Sequence, residues 1–299
     1  MPTTTSDIAK FLWPGLNKIW AASFNDYPKE CTQLFDEVSS DKAYEEYQGY
    51  VGLGLARQKS EGSPVHYDKW NQGYTHRVNN VAYALGYIIT REAVRDNQYA
   101  KIAMTRAKAL GRSMAQTMEI VGANVYNRAF NSSYTFADGK ELCATDHVTK
   151  AGVTFKNELT TAADLSEAAI EQALIDISDA VDERGLKIAV KGMRLIIPTE
   201  LQFTAIRILN STLQNDTANN AVNALKNVSL DIAVNHYLDD ATNWFIKTDV
   251  PDGMIFQNRD AAEFENDTEF NSKNMLFTGY QRYNFSAADV RGVFGSAPA

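Results

Sequence analysis

Apolar residues recur at three- and four-residue steps between Thr90 and Phe130, which is the repeat of an amphipathic helix. No proline occurs between Pro64 and Pro198, so no proline interrupts the pattern. At ~1.5 Å per residue, the segment predicts one uninterrupted helix of roughly 60 Å. A helix of that length favours a structural part over a catalyst. The predicted buried stripe comprises Ala103, Ala107, Leu110, Met114, Met118, Val121 and Val125.

The opposite side of this predicted helix carries three cations, which we term the basic line: Lys101, Lys108 and Arg112. Its simplest interpretation is a solvated helix face. The functional alternative is a set of salt-sensitive contacts with phosphates or with the carboxylates of a neighbouring molecule.

The first 48 residues are predicted to form an arm. Pro14 and Gly15 are expected to break the chain before one short amphipathic helix. Trp13 and Trp20 both lie in this segment. Large aromatic residues on a terminal segment indicate that it packs against its own chain or against a neighbour. The residues of the short apolar face are Leu16, Ile19, Trp20 and Phe24.

Residues 49–89 show a different pattern. Glycines precede a polar stretch, and partial two-residue alternation follows it up to Ile89. This is typical of a long β-hairpin with a polar tip. Such a hairpin is only marginally stable in water unless it packs against another part of the protein or a neighbour. Trp70 and Tyr74 would be exposed aromatic residues unless a neighbour covers them.

The remaining sequence mixes helices and strands without regular βαβ repetition, so the α+β class is predicted. Asp164 and Glu167 form a predicted capping pair for a helix that ends at Gly185. A strand is predicted at 193–197 and a helix from Thr199 to about Asn210. The other predicted strands lie near 230–234, 244–246, 254–257 and 275–283.

Composition narrows the function classes. The 299 residues carry a formal net charge of −8, so the chain as a whole is not a typical nucleic-acid binder. No apolar run approaches the ~20 residues of a membrane span, and no signal-peptide core is visible. Cys31 and Cys143 belong to no motif, which is consistent with a reducing compartment.

No convincing active site emerges from the motifs. The four histidines are far apart and match no zinc-binding spacing, so neither a metal nor another cofactor is predicted. Asp179, Asp182 and Glu183 could supply a general acid and base, which leaves a soluble carboxylate-dependent hydrolase as an alternative. A solvated helix face is the stronger interpretation of that cluster, and the chain is predicted not to be an enzyme.

Several segments, taken in order, resemble the major capsid proteins of tailed bacteriophages with the Hong Kong 97-type fold, and particularly the head subunits of Mu-like phages. The turn Asp138-Gly139-Lys140-Glu141-Leu142 followed by His147 is similar to a family turn, but Cys143 and Val148 replace its aromatic residue and proline. The other segments are Phe35 and Val38 with Glu45-Glu46-Tyr47 and Gly52, Glu61 to Asp68 with Gly73-Tyr74, and Thr90-Arg91-Glu92 with Asp96 and Tyr99.

The resemblance implies an N-terminal arm (1–48), an extended loop (49–89), a peripheral domain with a spine helix (90–160), an axial domain (161–250) and a return to the peripheral domain (251–299). It implies self-assembly through hexamers and pentamers into an icosahedral shell around double-stranded DNA. The implied location is the virion capsid, and the host cytoplasm before assembly, without a membrane. A portal is an expected partner. About fifty residues precede the extended loop, so a separate scaffolding protein is also expected.

Trp13, Trp20, Trp70 and Tyr74 are the predicted intersubunit contacts, and the basic line is predicted to face DNA or a neighbour. Two shell-related alternatives remain open. One is an encapsulin-like shell around a cargo enzyme, and the other is a tail or adaptor component that would form rings or tubes.

Overall fold

A computed structural model describes residues 5–95, 99–214 and 221–298, with side chains from Gly15 onward except at 94–95 and 99–100. Its helices are α1 (Thr5–Asn25), α2 (Cys31–Leu34), α3 (Arg91–Arg95), α4 (Tyr99–Asn127), α5 (Glu167–Ser178) and α6 (Gln202–Asn210). Its strands are β1 (Asp36–Ser39), β2 (Tyr44–Val51), β3 (Asn71–Asn79), β4 (Val81–Ile89), β5 (His147–Val148), β6 (Thr154–Phe155), β7 (Gly192–Ile197), β8 (Asp231–Val234), β9 (Trp244–Thr248), β10 (Met254–Thr268), β11 (Met275–Ala287) and β12 (Val293–Ser296).

The first sheet has the strand order β1-β10-β11-β4, and α4 packs across it. Strands β10 and β11 form a long antiparallel hairpin in which Phe256 lies opposite Phe285. These two rings stack with centroids 4.5 Å apart and join Met118 and Tyr126 of α4 in one buried cluster. Aromatic burial therefore fixes the long helix to the long hairpin.

Helix α1 lies against the N-terminal half of α4, where Gly111 allows a close approach. A Cβ atom at Gly111 would lie 2.6 Å from the carbonyl oxygen of Trp20. Trp20 stacks on Phe24 and on Phe264 of β10, with ring centroids 5.6 Å apart in both pairs. The N-terminal helix is thus part of the core around α4.

The second sheet has the order β12-β9-β7-β8, with β7 parallel to β8 and antiparallel to β9. Buried side chains of α5 and α6 share a core with this sheet, including Ile170, Ile208 and Trp244. The Trp244 indole donates a hydrogen bond to the carbonyl of Ala163 at 3.0 Å. Together the two sheets and their helices give the predicted α+β class.

The prediction of one helix from Thr90 to Phe130 is wrong in its bounds. The chain has a short α3 and then α4, whose 29 residues span about 43 Å. The predicted apolar stripe is confirmed, because its first five members are buried and Val121 and Val125 pack at the core margin. Residues 96–98, including the motif residue Asp96, lie outside the described part of the chain.

The predicted hairpin over 49–89 also differs from the structure. Strand β2 pairs with β3, whereas β4 leaves them and pairs with β11. The switch occurs at buried Asn80, whose backbone N–H donates to Ala43 and whose amide nitrogen donates to Lys42 and Ser40. Two-residue alternation runs through both strands, so periodicity alone could not show that they belong to different sheets.

Two predicted helix boundaries are wrong as well. Helix α1 continues through Pro14 instead of starting after it. An interior proline costs ~3 kcal/mol, and the burial of Trp20 and its apolar neighbours offsets that cost. Helix α5 begins after Ser166, whose side chain accepts from the Ala169 N–H, and Asp179 caps its end. Gly185 lies in a later turn with φ +85°.

Among the helices that the structure describes, none combines the length and the hydrophobicity of a membrane span.

Candidate interaction surfaces

Beyond the β2–β3 hairpin, residues 52–70 form a segment without regular secondary structure, which we term the outer loop. Its large apolar side chains face solvent: Leu55 is 78% exposed, Tyr67 87% and Trp70 61%. Trp70 stacks on Tyr50 of β2, with ring centroids 5.0 Å apart. Apolar surface grouped in this way is typical of an interaction site.

An exposed ion pair lies within the hairpin that carries the outer loop, and a ring contact lies at its base. Arg77 of β3 donates to Glu46 of β2 at 2.5 Å and lies over the ring of Tyr44. Near the hairpin base, His76 stacks on Phe136, with centroids 5.0 Å apart, and its Nε2 lies 3.0 Å from the Ser286 hydroxyl. Burial lowers the pKa of His76.

The predicted contact residues differ in where the structure places them. Trp70 is exposed, as predicted, and Tyr74 is half-buried beside a cavity of about 90 Å³ between the hairpin and the body. Trp20 is only 4% exposed because it packs inside its own chain, so little of its side chain is left for a neighbour to contact. Trp13 lies in α1, but its side chain is outside the described residues.

The outer loop is also tied to the body by polar contacts. The Asp68 carboxylate accepts a hydrogen bond from the Gly54 N–H at 2.9 Å and another from the Arg184 guanidinium at 2.5 Å. The hydrogen bond from Gly54, followed by that from Arg184, lowers the pKa of Asp68 to about 2. Sequence reasoning missed Arg184 because no local pattern relates two residues so far apart in the chain.

All three members of the basic line are exposed on α4. Among the described residues, none of them takes part in an ion pair. Arg112 lies 5.9 Å from the ring centre of Tyr27, and the Lys108 carbonyl accepts from the Ser23 hydroxyl. The three side chains therefore leave positive charge available on this face.

The acidic cluster does not form the acid–base pair that a hydrolase would need. Asp179 pairs with Lys187, and Glu183 pairs with Arg291 at 3.2 Å. Asp182 lies in a turn, where its carboxylate accepts from the N–H groups of Arg184 and Leu186. Each carboxylate has a structural partner, and the three do not share one solvated helix face as predicted.

The family-like turn brings its polar residues together in the core. His147 Nδ1 lies 2.5 Å from an Asp138 carboxylate oxygen, and its Nε2 lies 3.1 Å from the Asn157 amide oxygen. Burial raises the pKa of Asp138, but hydrogen bonding and charge from His147 outweigh it, so the net shift is downward. This cluster links the turn to β5 and β6 and is structural.

A second buried polar pair joins α2 to α4. The Glu119 carboxylate accepts from the Cys31 N–H at 2.8 Å and from its thiol at 3.1 Å. Burial raises the pKa of both side chains. Cys31 and Cys143 are free and buried. In the described part of the chain, no group of three or more His, Cys, Asp or Glu residues is placed to hold a metal ion.

Solved structures of capsids and related particles share this fold. It is similar to a virus-like particle from Pyrococcus furiosus (TM-score 0.53, 10% identity, 94% of this chain and 98% of that one). It is also similar to a structure from Microbacterium phage Oxtober96 (TM-score 0.54, 14% identity, 90% of each chain). The capsid of Myoviridae phage XM1 matches with a TM-score of 0.50, 9% identity and 86% of each chain. The fold is that of the Hong Kong 97-type capsid proteins.

The sequence profile of the phage capsid protein family matches residues 76–295. The chain therefore belongs to the phage capsid protein family, and it is a structural protein of the capsid shell. A search of curated protein sequences found no match. The narrower resemblance to head subunits of Mu-like phages stays a prediction.

Proposed function

We propose that copies of this chain associate as hexamers and pentamers into an icosahedral shell that encloses double-stranded phage DNA. The observation that carries the proposal is the outer loop, which exposes Leu55, Tyr67 and Trp70 at the end of the β2–β3 hairpin. A single chain leaves this apolar surface in water, whereas a neighbouring copy can bury it.

The free energy of such contacts becomes large because the same contact recurs throughout the shell. Burial of apolar surface stabilises by ~25 cal/mol per Å², so a few hundred Å² per contact contribute several kcal/mol before the cost of ordering. Each subunit in a shell both gives and receives such a contact. Many modest contacts therefore add up to a stable particle.

Trp70→Ala tests this role of the outer loop. The variant should keep the thermal unfolding temperature of the unassembled subunit, because Trp70 is 61% exposed and stacks on the ring of Tyr50 outside the buried core. We expect at least a tenfold loss in particle yield, measured by sedimentation and negative-stain electron microscopy. Trp70→Phe, which retains an aromatic face for Tyr50, is the matched control and should assemble much better than Trp70→Ala. Wild-type yield from Trp70→Ala would refute the contact.

The basic line is proposed to contact DNA phosphates on the inner surface of the shell. Each lost phosphate contact lowers the salt dependence of DNA binding by about 0.9 in a plot of log affinity against log salt. Changing Lys101, Lys108 and Arg112 together to Gln should therefore lower the slope by about 3. Changing Lys42, Lys140 and Lys187, which all form ion pairs, to Gln is the charge-matched control. Equal slopes for the two triple variants would assign the basic line to another partner, such as a neighbour's carboxylates.

Further partners belong to the same proposal. A separate scaffolding protein directs the assembly of shells of one size, and a portal occupies one vertex. The subunit stays in the host cytoplasm until it assembles, and it catalyses no reaction. Expression of this chain alone tests the scaffolding requirement, since uniform shells of the correct size from the single protein would contradict it.

A shell around a protein cargo is the second candidate, because the fold is also similar to a virus-like particle. Nuclease-treated particles purified from their natural source distinguish the two. Protected double-stranded DNA supports the genome shell, whereas a co-purifying enzyme without DNA supports the cargo shell.

A further inference from the structure

The two ends of the outer loop are held together by one carboxylate, which also contacts a side chain of the body. Asp68, near the C-terminal end of the loop, accepts a hydrogen bond from the N–H of Gly54, near its N-terminal end. The same carboxylate oxygen accepts from Arg184 Nη1. Arg184 Nη2 also donates to the Lys69 carbonyl at 2.7 Å. Arg184 therefore uses two guanidinium nitrogens to hold the loop at its base.

The position of Arg184 is itself fixed by a tight turn at residues 182–186. The Asp182 carboxylate accepts from the N–H groups of Arg184 and Leu186, both at 2.8 Å. The Asp182 N–H donates to the Leu186 carbonyl at 2.7 Å, and Gly185 supplies the positive φ that the turn needs. Because its own hydrogen bonds close this turn, the turn holds the backbone of Arg184 in a defined position.

The pairing of the hairpin strands is irregular just before the outer loop begins. The pairing of β2 with β3 shifts register between Gln48 and Tyr50, and a Cβ atom at Gly73 would lie 2.8 Å from the Gly49 backbone. Irregular pairing of this kind bends a strand and redirects the residues beyond it. Lys150 of the body donates to the Gly73 carbonyl at 3.4 Å, which adds a second tie near the bend.

We propose that Arg184 is a positioning residue for assembly: through Asp68 and Lys69 it sets the angle at which the outer loop leaves its own subunit, and so sets the geometry of contact with the next copy. The inference rests on the proposed function, because the angle matters only if the loop contacts a neighbour. A loop without regular secondary structure would otherwise sample many directions, and ordering it on contact would weaken association. The angle between neighbours determines the curvature of the shell.

The first experiment tests whether Arg184 orders the outer loop in the unassembled subunit. In Arg184→Ala, the contact that orients Asp68 is lost, and we expect hydrogen exchange at the Gly54 amide to accelerate at least about tenfold. Arg77→Ala is the matched control, because it removes an exposed ion pair with Glu46 that lies within the hairpin and does not join it to the body. Exchange at Gly54 should not change in this control.

The second measurement follows the shell. Arg184→Ala should still associate but give a broad mixture of particle diameters and open sheets in electron micrographs, whereas Arg77→Ala should give the wild-type distribution. Arg184→Lys keeps the charge but lacks the planar fork that reaches Asp68 and the Lys69 carbonyl together, so we expect partial rescue. Asp68→Ala removes the same contact from the loop side and leaves the 182–186 turn intact, so it decides the question if Arg184→Ala fails to fold.

Wild-type particle diameters in folded Arg184→Ala or Asp68→Ala would overturn the inference and leave the proposed function in place. An equally broad distribution of particle diameters in Arg77→Ala would also overturn it, since the effect would then not depend on the contact between Arg184 and the outer loop. Failure of the wild-type chain to form closed shells under any condition, including with its phage partners, would instead reject the proposed function.

Discussion

The imidazole of His147 lies against the carboxylate of Asp138, with 2.5 Å between Nδ1 and Oδ2, although both side chains are almost fully shielded from solvent. Asn157 completes the arrangement: its amide oxygen faces His147 and the Ala144 N–H, and its amide nitrogen donates to the carbonyls of Leu142 and Val290. Asn157 thus joins the ring of His147 to three backbone groups in one largely buried network.

Asn157→Ala should therefore destabilise the subunit by about 3 kcal/mol or more, because several buried groups would lose their partner at once. Denaturant unfolding of the unassembled subunit measures this loss. Asn131→Ala is the control: Asn131 is exposed and accepts one N–H from Ser133, so the change should cost ~1 kcal/mol or less. Similar losses in the two variants would show that the buried cluster adds little stability.

Asp138 should make the subunit sensitive to acid. Its pKa is lower in the folded protein than its ordinary value of 3.8. A carboxyl of this kind adds stability above its unfolded pKa, and that stability is lost as the pH falls through the folded pKa. The wild type should lose this contribution below about pH 4, whereas Asp138→Asn should be less stable at neutral pH and should show a smaller loss between pH 5 and pH 3. Parallel pH profiles of the free energy of unfolding would contradict the assignment.

Glu119 should instead make the subunit less stable as the pH rises. Burial raises its pKa above the ordinary value of 4.5, so its contribution to stability is fully present below that value and is lost as the pH rises through the folded pKa. Glu119→Gln keeps an oxygen that can accept from Cys31 but does not ionise. The variant should lose less stability than the wild type between pH 4 and pH 8, by about 1.4 kcal/mol for each unit by which the pKa is raised. Glu61→Gln, on the exposed outer loop, should follow the wild-type profile; an unchanged profile in Glu119→Gln would contradict this account.

The contact between α1 and α4 should tolerate no side chain at Gly111. A Cβ atom there would lie 2.6 Å from the Trp20 carbonyl, and the backbone cannot move without separating the helices. Gly111→Ala should therefore cost about 1–3 kcal/mol, despite the better helix propensity of alanine. Gly15→Ala, in α1 and with open space around it, should stabilise by up to about 1 kcal/mol. Equal effects at the two sites in thermal unfolding would argue against close packing of these helices.

The amino-acid sequence determined the features that depend on local repeats. The stripe from Ala103 to Val125 follows the helical period, so its burial was predictable. Strands β7, β8 and β9 were found from apolar and alternating patterns. The exposure of Trp70 followed from its place in a polar, turn-rich stretch.

Only the tertiary structure decided which elements meet. It paired β4 with β11, buried Trp20 against Phe264, and brought Arg184 to Asp68. Periodicity shows which face of an element is apolar but not which partner covers it, because long-range contacts depend on how the whole chain packs. The sequence therefore specified most of the helices and strands of this capsid protein and their apolar faces, whereas packing determined the helix bounds, the pairing of strands and the contact between the outer loop and the body.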